Sequence, residues 1–170
     1  MTSPSTWQAS IRAKRQTISS ARANRIAIVG VGSELHGDDG VGPYIAQSLK
    51  RRFADSNLLA IDGGSAPENI TGALRRFEPD WVLLIDAAHL GGTAGDVQHL
   101  SIDAIQELSG STHALSLATF AAYLMSELGC EVSLLGVQPL AMDLCEPLTE
   151  PVQRAADEVI KALLETFRAI

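Results

Sequence analysis

The chain has 170 residues, 46% of them hydrophobic, and a formal net charge of −7. This is enough for one domain with a single core, and the acidic balance argues against a nucleic-acid partner, because proteins that grip a phosphate backbone carry a basic face. No run of 18 or more apolar residues is present for a membrane span, and the two cysteines, Cys130 and Cys145, stand far apart in neither C-x-x-C nor zinc-ligand spacing, so they read as buried or free thiols in a reducing cytoplasm.

The first 25 residues hold Arg12, Lys14, Arg15, Arg22 and Arg25 with no acid among them, so all 20 acidic residues lie beyond. This asymmetry divides the chain into a basic N-terminal extension, residues 1–24, and a domain, residues 25–170. The extension lacks the apolar core and small-residue cleavage site of a secretory signal. It is Arg/Ser-rich like a transit peptide, but a surface arm is the simpler reading. Its apolar positions are Trp7, Ile11 and Ile18, and its removal is expected to leave the domain folded.

Beyond Arg25, short apolar runs rich in β-branched residues predict five strands, at 26–31, 58–62, 81–87, 97–101 and 132–137. Between and after them come helical spacings: Val41, Ile45 and Leu49; Leu115, Ala118, Ala122, Met125 and Leu128; and Val152, Ala155, Ala156, Val159, Ile160, Leu163, Leu164 and Phe167. The alternation predicts an α/β fold, a three-layer α/β/α sandwich around a five-stranded, mostly parallel sheet. The connection from the third to the fourth run is only "AHLGGTAGD", residues 88–96. A parallel crossover needs about a dozen residues or more, so the fourth strand is expected to run antiparallel.

In an open sheet of this kind the functional crevice lies beyond the carboxyl ends of the parallel strands. Asp38 and Asp39 follow the first run, Asp62 ends the second and Asp86 ends the third. Four carboxylates are thus expected at one rim. A dinucleotide loop does not explain them: "GVGSEL", residues 30–35, has Leu35 in place of the third glycine, and adjacent aspartates repel a pyrophosphate. No Gly-Lys-Ser/Thr exists for a P-loop. Two readings of Asp38 and Asp39 stand side by side: acids capping the helix that opens near residue 40, or carboxylates awaiting a cation. Imidazole joins carboxylate on nickel or zinc, and four histidines are available. His99 alternates within the fourth run and reads as a surface residue, while His36 and His89 sit in loops near the acids. His113 opens the helix before the fifth run and can face the rim.

The segments "VGSELHGDDGVGP" (31–43), "DGGSAPEN" (62–69), "LLIDAA" (83–88), "STHALSL" (111–117) and "LLGVQP" (134–139), in this order, resemble the [NiFe]-hydrogenase maturation endopeptidases. "DGGSAPEN" together with "GVQP" is most like the branch serving the formate-hydrogenlyase type, hydrogenase 3. The likeness spans about residues 25–168. It implies a cytoplasmic endopeptidase whose partner is the hydrogenase large-subunit precursor, from which it removes a short C-terminal extension after nickel insertion. It implies no organic cofactor, no nucleic acid and no membrane. The metal that the resemblance implies is nickel supplied by the precursor. Matched by motif, the residues contacting it, and carrying catalysis, are Asp39, Asp86 and His113. Asp38, Asp62, Gly63 and Gly64 then orient the loops or line the peptide cleft. Ser33 and His36 depart from the usual pattern, Ser33 replacing an Asn and His36 offering an extra imidazole. A non-catalytic nickel or zinc carrier with the same ligands is the alternative.

Overall fold

The computed structural model describes residues 6–19, 24–108 and 112–168, without the side chains of 19 and 112–115. Strands β1 (Ile26–Val31), β2 (Leu58–Gly64), β3 (Trp81–Ala87), β4 (Val97–Ser101) and β5 (Glu131–Val137) form one sheet in the order β2-β1-β3-β5-β4. The β1–β2, β1–β3 and β3–β5 pairs are parallel, and β4 pairs antiparallel with β5. All five expected strands are present, and the short third connection turns the fourth back as its length requires.

Helices α1 (Thr6–Ser19), α2 (Val41–Lys50) and α6 (Glu150–Phe167) cover one face, and α3 (Thr71–Phe77), α4 (Ile102–Glu107) and α5 (Thr112–Leu128) cover the other. Side chains alternate across a strand. Ile26, Ile28, Leu83 and Ile85 therefore enter the core beneath α2 and α6, whereas Ala27, Val29, Val82 and Leu84 enter the core beneath α5. With both faces covered, β1 and β3 are buried along their whole length, which is why they read as continuous apolar runs.

The N-terminal extension departs from the expectation. Most of it is α1, and Trp7, Ile11 and Ile18 are 7%, 1% and 6% exposed within the core that also holds Phe167 and Trp81. Steps of four and seven residues place the three on one helical stripe, and that stripe closes the sheet face beside the edge strand β4. Arg15 adds a guanidinium over the Phe167 ring and a hydrogen bond to the Thr166 carbonyl oxygen. Of the basic residues that marked a boundary, Arg12, Lys14 and Arg15 lie on this packed helix, Arg12 exposed and the other two half-buried.

His99 also differs from its surface assignment. Its Nδ1 lies 2.7 Å from Ser10 Oγ on α1 and its Nε2 2.9 Å from Ser133 Oγ on β5, which in turn accepts the indole N–H of the buried Trp81 at 2.9 Å. Ser133 can donate to Nε2 while Nδ1–H donates to Ser10, so a neutral imidazole satisfies every group. Burial, and then the nearby Lys14 charge, lower the His99 pKa to about 4. Among the described residues no helix is long and apolar enough to cross a membrane.

Candidate active site

The strand order reverses between β1 and β3: the chain passes from β1 outward to β2, then returns to the other side of β1. That reversal opens a crevice at the carboxyl ends of the two strands. Val31 ends β1 there and Asp86 is the penultimate residue of β3. The turn after β1 is forced into this crevice by glycines. Gly32 has φ +128, and a Cβ on it would lie 1.9 Å from the Asp39 carbonyl oxygen. A Cβ on Gly42 would lie 2.3 Å from the Ile85 carbonyl oxygen and 2.4 Å from that of Val31. No other residue lets the start of α2 sit across the two strand ends. The 3-10 turn Gly37–Gly40, which carries both aspartates, therefore packs against β3.

Within that turn the two acids part company. Asp38 is fully buried and accepts hydrogen bonds from the backbone N–H groups of Leu140 (2.8 Å), Ala141 (3.0 Å) and Thr149 (2.7 Å) and from the Thr149 hydroxyl (2.9 Å). Burial alone would raise its pKa, but the bonds from Ala141, Thr149 and Leu140 outweigh it and hold the carboxyl below its ordinary value. Its contacts make it an anchor for the segment after β5. Asp39, half-buried, accepts the Ser33 N–H on Oδ2 at 2.8 Å, and its Oδ1 carries no hydrogen bond among the described residues. Neither acid caps a helix: the residues preceding the 3-10 turn and α2 are His36 and Gly40, and neither makes a side-chain cap. The N-cap part of the local reading is not met, whereas its first-turn part is, since both acids lie in the first turn of Gly37–Gly40; Asp38 adds the long-range bonds to the segment after β5.

Asp86 is fully buried and pairs in register with Gly136 of β5. By alternation it shares a sheet face with Val82 and Leu84, the face covered by α5. His113 is the second residue of α5; its side chain lies outside the described residues. Asp62 is held on both oxygens, Oδ1 by the Gly64 N–H and Oδ2 by Gln47 Nε2, each at 2.8 Å. Gln47 also donates to Glu34 at 2.9 Å, and the Gly32 N–H donates to the Gly64 carbonyl oxygen at 2.9 Å. Asp62, Gly63 and Gly64 thus brace the β1 and β2 loops where the register slips between Gly30 and Val31. Ser33 and His36 are joined through Oγ and Nδ1 at 3.0 Å, and His89 is exposed. Among the described residues no group of three His, Cys, Asp or Glu is arranged to hold a metal, a set that excludes the His113 side chain.

The same overall fold occurs in known proteins. Residues 43–166 match the HycI family model, described as hydrogenase maturation protease. The hydrogenase 3 maturation protease of Escherichia coli is 35% identical over 134 residues, covering 78% of this chain and 85% of that protein. The crystal structure of the [NiFe] hydrogenase maturation protease HycI from Thermococcus kodakarensis superposes with a TM-score of 0.80 at 30% identity, covering 90% of this chain and 97% of that one. The hydrogenase maturating endopeptidase HybD of Escherichia coli superposes at 0.71 with 25% identity, over 85% and 93% of the two chains. The chain belongs to the hydrogenase maturation proteases and is an endopeptidase acting in hydrogenase maturation. The carrier reading gives way to this membership.

Proposed function

We propose that this endopeptidase removes the C-terminal extension of a [NiFe]-hydrogenase large-subunit precursor once nickel is in place, and that Asp39, Asp86 and His113 contact that nickel. The observation that supports this reading is the packing of the Asp39 turn against β3, the strand whose penultimate residue is Asp86. The Ser33 N–H fixes Asp39 through Oδ2, so Oδ1 is the oxygen offered to the crevice. Two carboxylates and one imidazole are three ligands, and a closed structural site takes four. The set suits a metal that arrives already held by the substrate. A metal so bound polarises a nearby carbonyl or water, and whichever of Asp39 and Asp86 does not hold the ion takes the proton from an attacking water. Asp62, Gly63 and Gly64 line the neighbouring edge of the cleft, and Asp38 supports it from beneath.

The test is parallel digestion of nickel-loaded and nickel-free precursor by metal-free enzyme, read by intact mass. The loaded precursor should be shortened and the nickel-free precursor left whole, because the differential affinity resides in the ion. Equal cleavage of both would defeat the nickel mechanism while leaving the endopeptidase.

A further inference from the structure

Two loops border the crevice, residues 32–36 after β1 and residues 138–149 after β5. They are locked together. The Asp38 N–H donates to the Ala141 carbonyl oxygen at 3.0 Å, the Cys145 N–H to that of Leu35 at 2.7 Å, and the Asp38 carboxylate holds Leu140, Ala141 and Thr149. From this anchored pair Leu35, Leu140 and Leu144 project with 63%, 64% and 65% of their surface exposed, and Met142 stands beside them. Single exposed leucines are ordinary. Three on two mutually fixed loops form a patch, and such patches mark interaction sites. The loop after β5 also carries exposed Asp143 and Glu146, which line a hollow with Pro147 and Leu148, and it contains no basic residue.

We infer that this ridge is the docking surface for the folded body of the large-subunit precursor, seating Leu35, Leu140 and Leu144 in an apolar depression bordered by Lys or Arg side chains that meet Asp143 and Glu146. This rests on the reading of the precursor as substrate. The body, rather than the extension, is the occupant because an extended peptide needs an edge strand or a groove. The ridge loops follow β1 and β5, both interior strands, and their leucines protrude. Because the Asp38 bonds fix the loops beforehand, docking orders little new chain. Continuity with the Asp39 turn places the ridge beside the crevice, where it would hold the body while the extension is cut.

The experiment compares wild type with Leu140→Ser/Leu144→Ser and with Asp143→Lys/Glu146→Lys. It measures cleavage of nickel-loaded precursor, and separately binding of a nickel-loaded large subunit that ends at the cleavage point. Truncating interface anchors should raise KM and weaken binding of the shortened body by roughly 10-fold or more, with kcat within about 2-fold of wild type. The charge-reversed variant should lose binding most at low salt. Unchanged KM and unchanged binding in the leucine variant would overturn the proposal, as would failure of wild type to bind the shortened body. If wild type cuts no precursor, the activity reading falls, and the binding comparison still decides the ridge.

Discussion

Asp38 and Asp39 are chemically identical neighbours with opposite uses, and burial with hydrogen bonding separates them. Asp38→Ala would strand three backbone N–H groups and one hydroxyl, each buried donor costing about 1–3 kcal/mol when left unmade. Part of that loss is relieved by water at the exposed loop. We expect a net destabilisation of about 2–4 kcal/mol, read as a lower melting temperature together with weaker cleavage as residues 138–149 loosen. Asp39→Ala, Asp86→Ala and His113→Ala should instead each lower the cleavage rate by roughly 100-fold or more, the scale of a lost proton-transfer or ligand group. Their circular dichroism should remain that of the folded domain. Normal processing by any two of the three would remove the site assignment.

At the scale of elements, α1 carries the largest revision. Residues 1–24 were legible as basic and acid-free, but the tertiary role of their three apolar residues was not, because a stripe of three is too narrow to announce a core helix without the sheet face it covers. Ile11, 1% exposed, is the sharpest probe: Ile11→Ala should cost about 2–5 kcal/mol, lowering the melting temperature by several degrees. A change within about 2 °C, the size of a sub-kcal/mol effect, would mean that α1 contributes nothing to the fold. Helices α3 and α4, seven and six residues long, escaped the periodicity reading since neither offers two full turns of pattern. The strands and helices α2 and α6 were legible because each repeats its apolar residues over its whole length. Helix α5 was legible as a helix but not by its face, since Ala122 and Met125 of the expected stripe are exposed and Leu117, Ala118, Phe120, Ala121 and Leu124 are the buried ones.

For the whole molecule, the titrating groups predict acid sensitivity in two stages. His99 has a folded pKa of about 4 against an ordinary 6.5, so the unfolded chain binds the proton more readily. Its contribution is complete above 6.5 and is lost as pH falls toward 4. At about 1.4 kcal/mol per unit, with partial exposure screening some of it, the loss is on the order of 2 kcal/mol. Asp38 has a folded pKa below its ordinary 3.8. Its stabilisation is complete above 3.8 and is lost only as pH falls below that value toward its folded pKa. Thermal melts between about pH 7 and about pH 4.5 should therefore show a decline that His99→Gln flattens. An identical decline in His99→Gln would place the acid-sensitive group elsewhere.

The sequence by itself determined the α/β class, the five strands, the antiparallel turn-back of β4 and the family. These follow from period, connection length and motif order, all of which are local along the chain. It also marked Asp39, Asp86 and His113 by motif. Only the tertiary structure decided that Asp38 is an anchor rather than a cap, because its partners stand more than 100 residues away at Leu140, Ala141 and Thr149. The same holds for His99, whose partners Ser10 and Ser133 lie on separate elements, and for α1, whose stripe has meaning only against β4 and α6. Burial and long-range hydrogen bonds assign those roles, and neither is a property of any short stretch of chain.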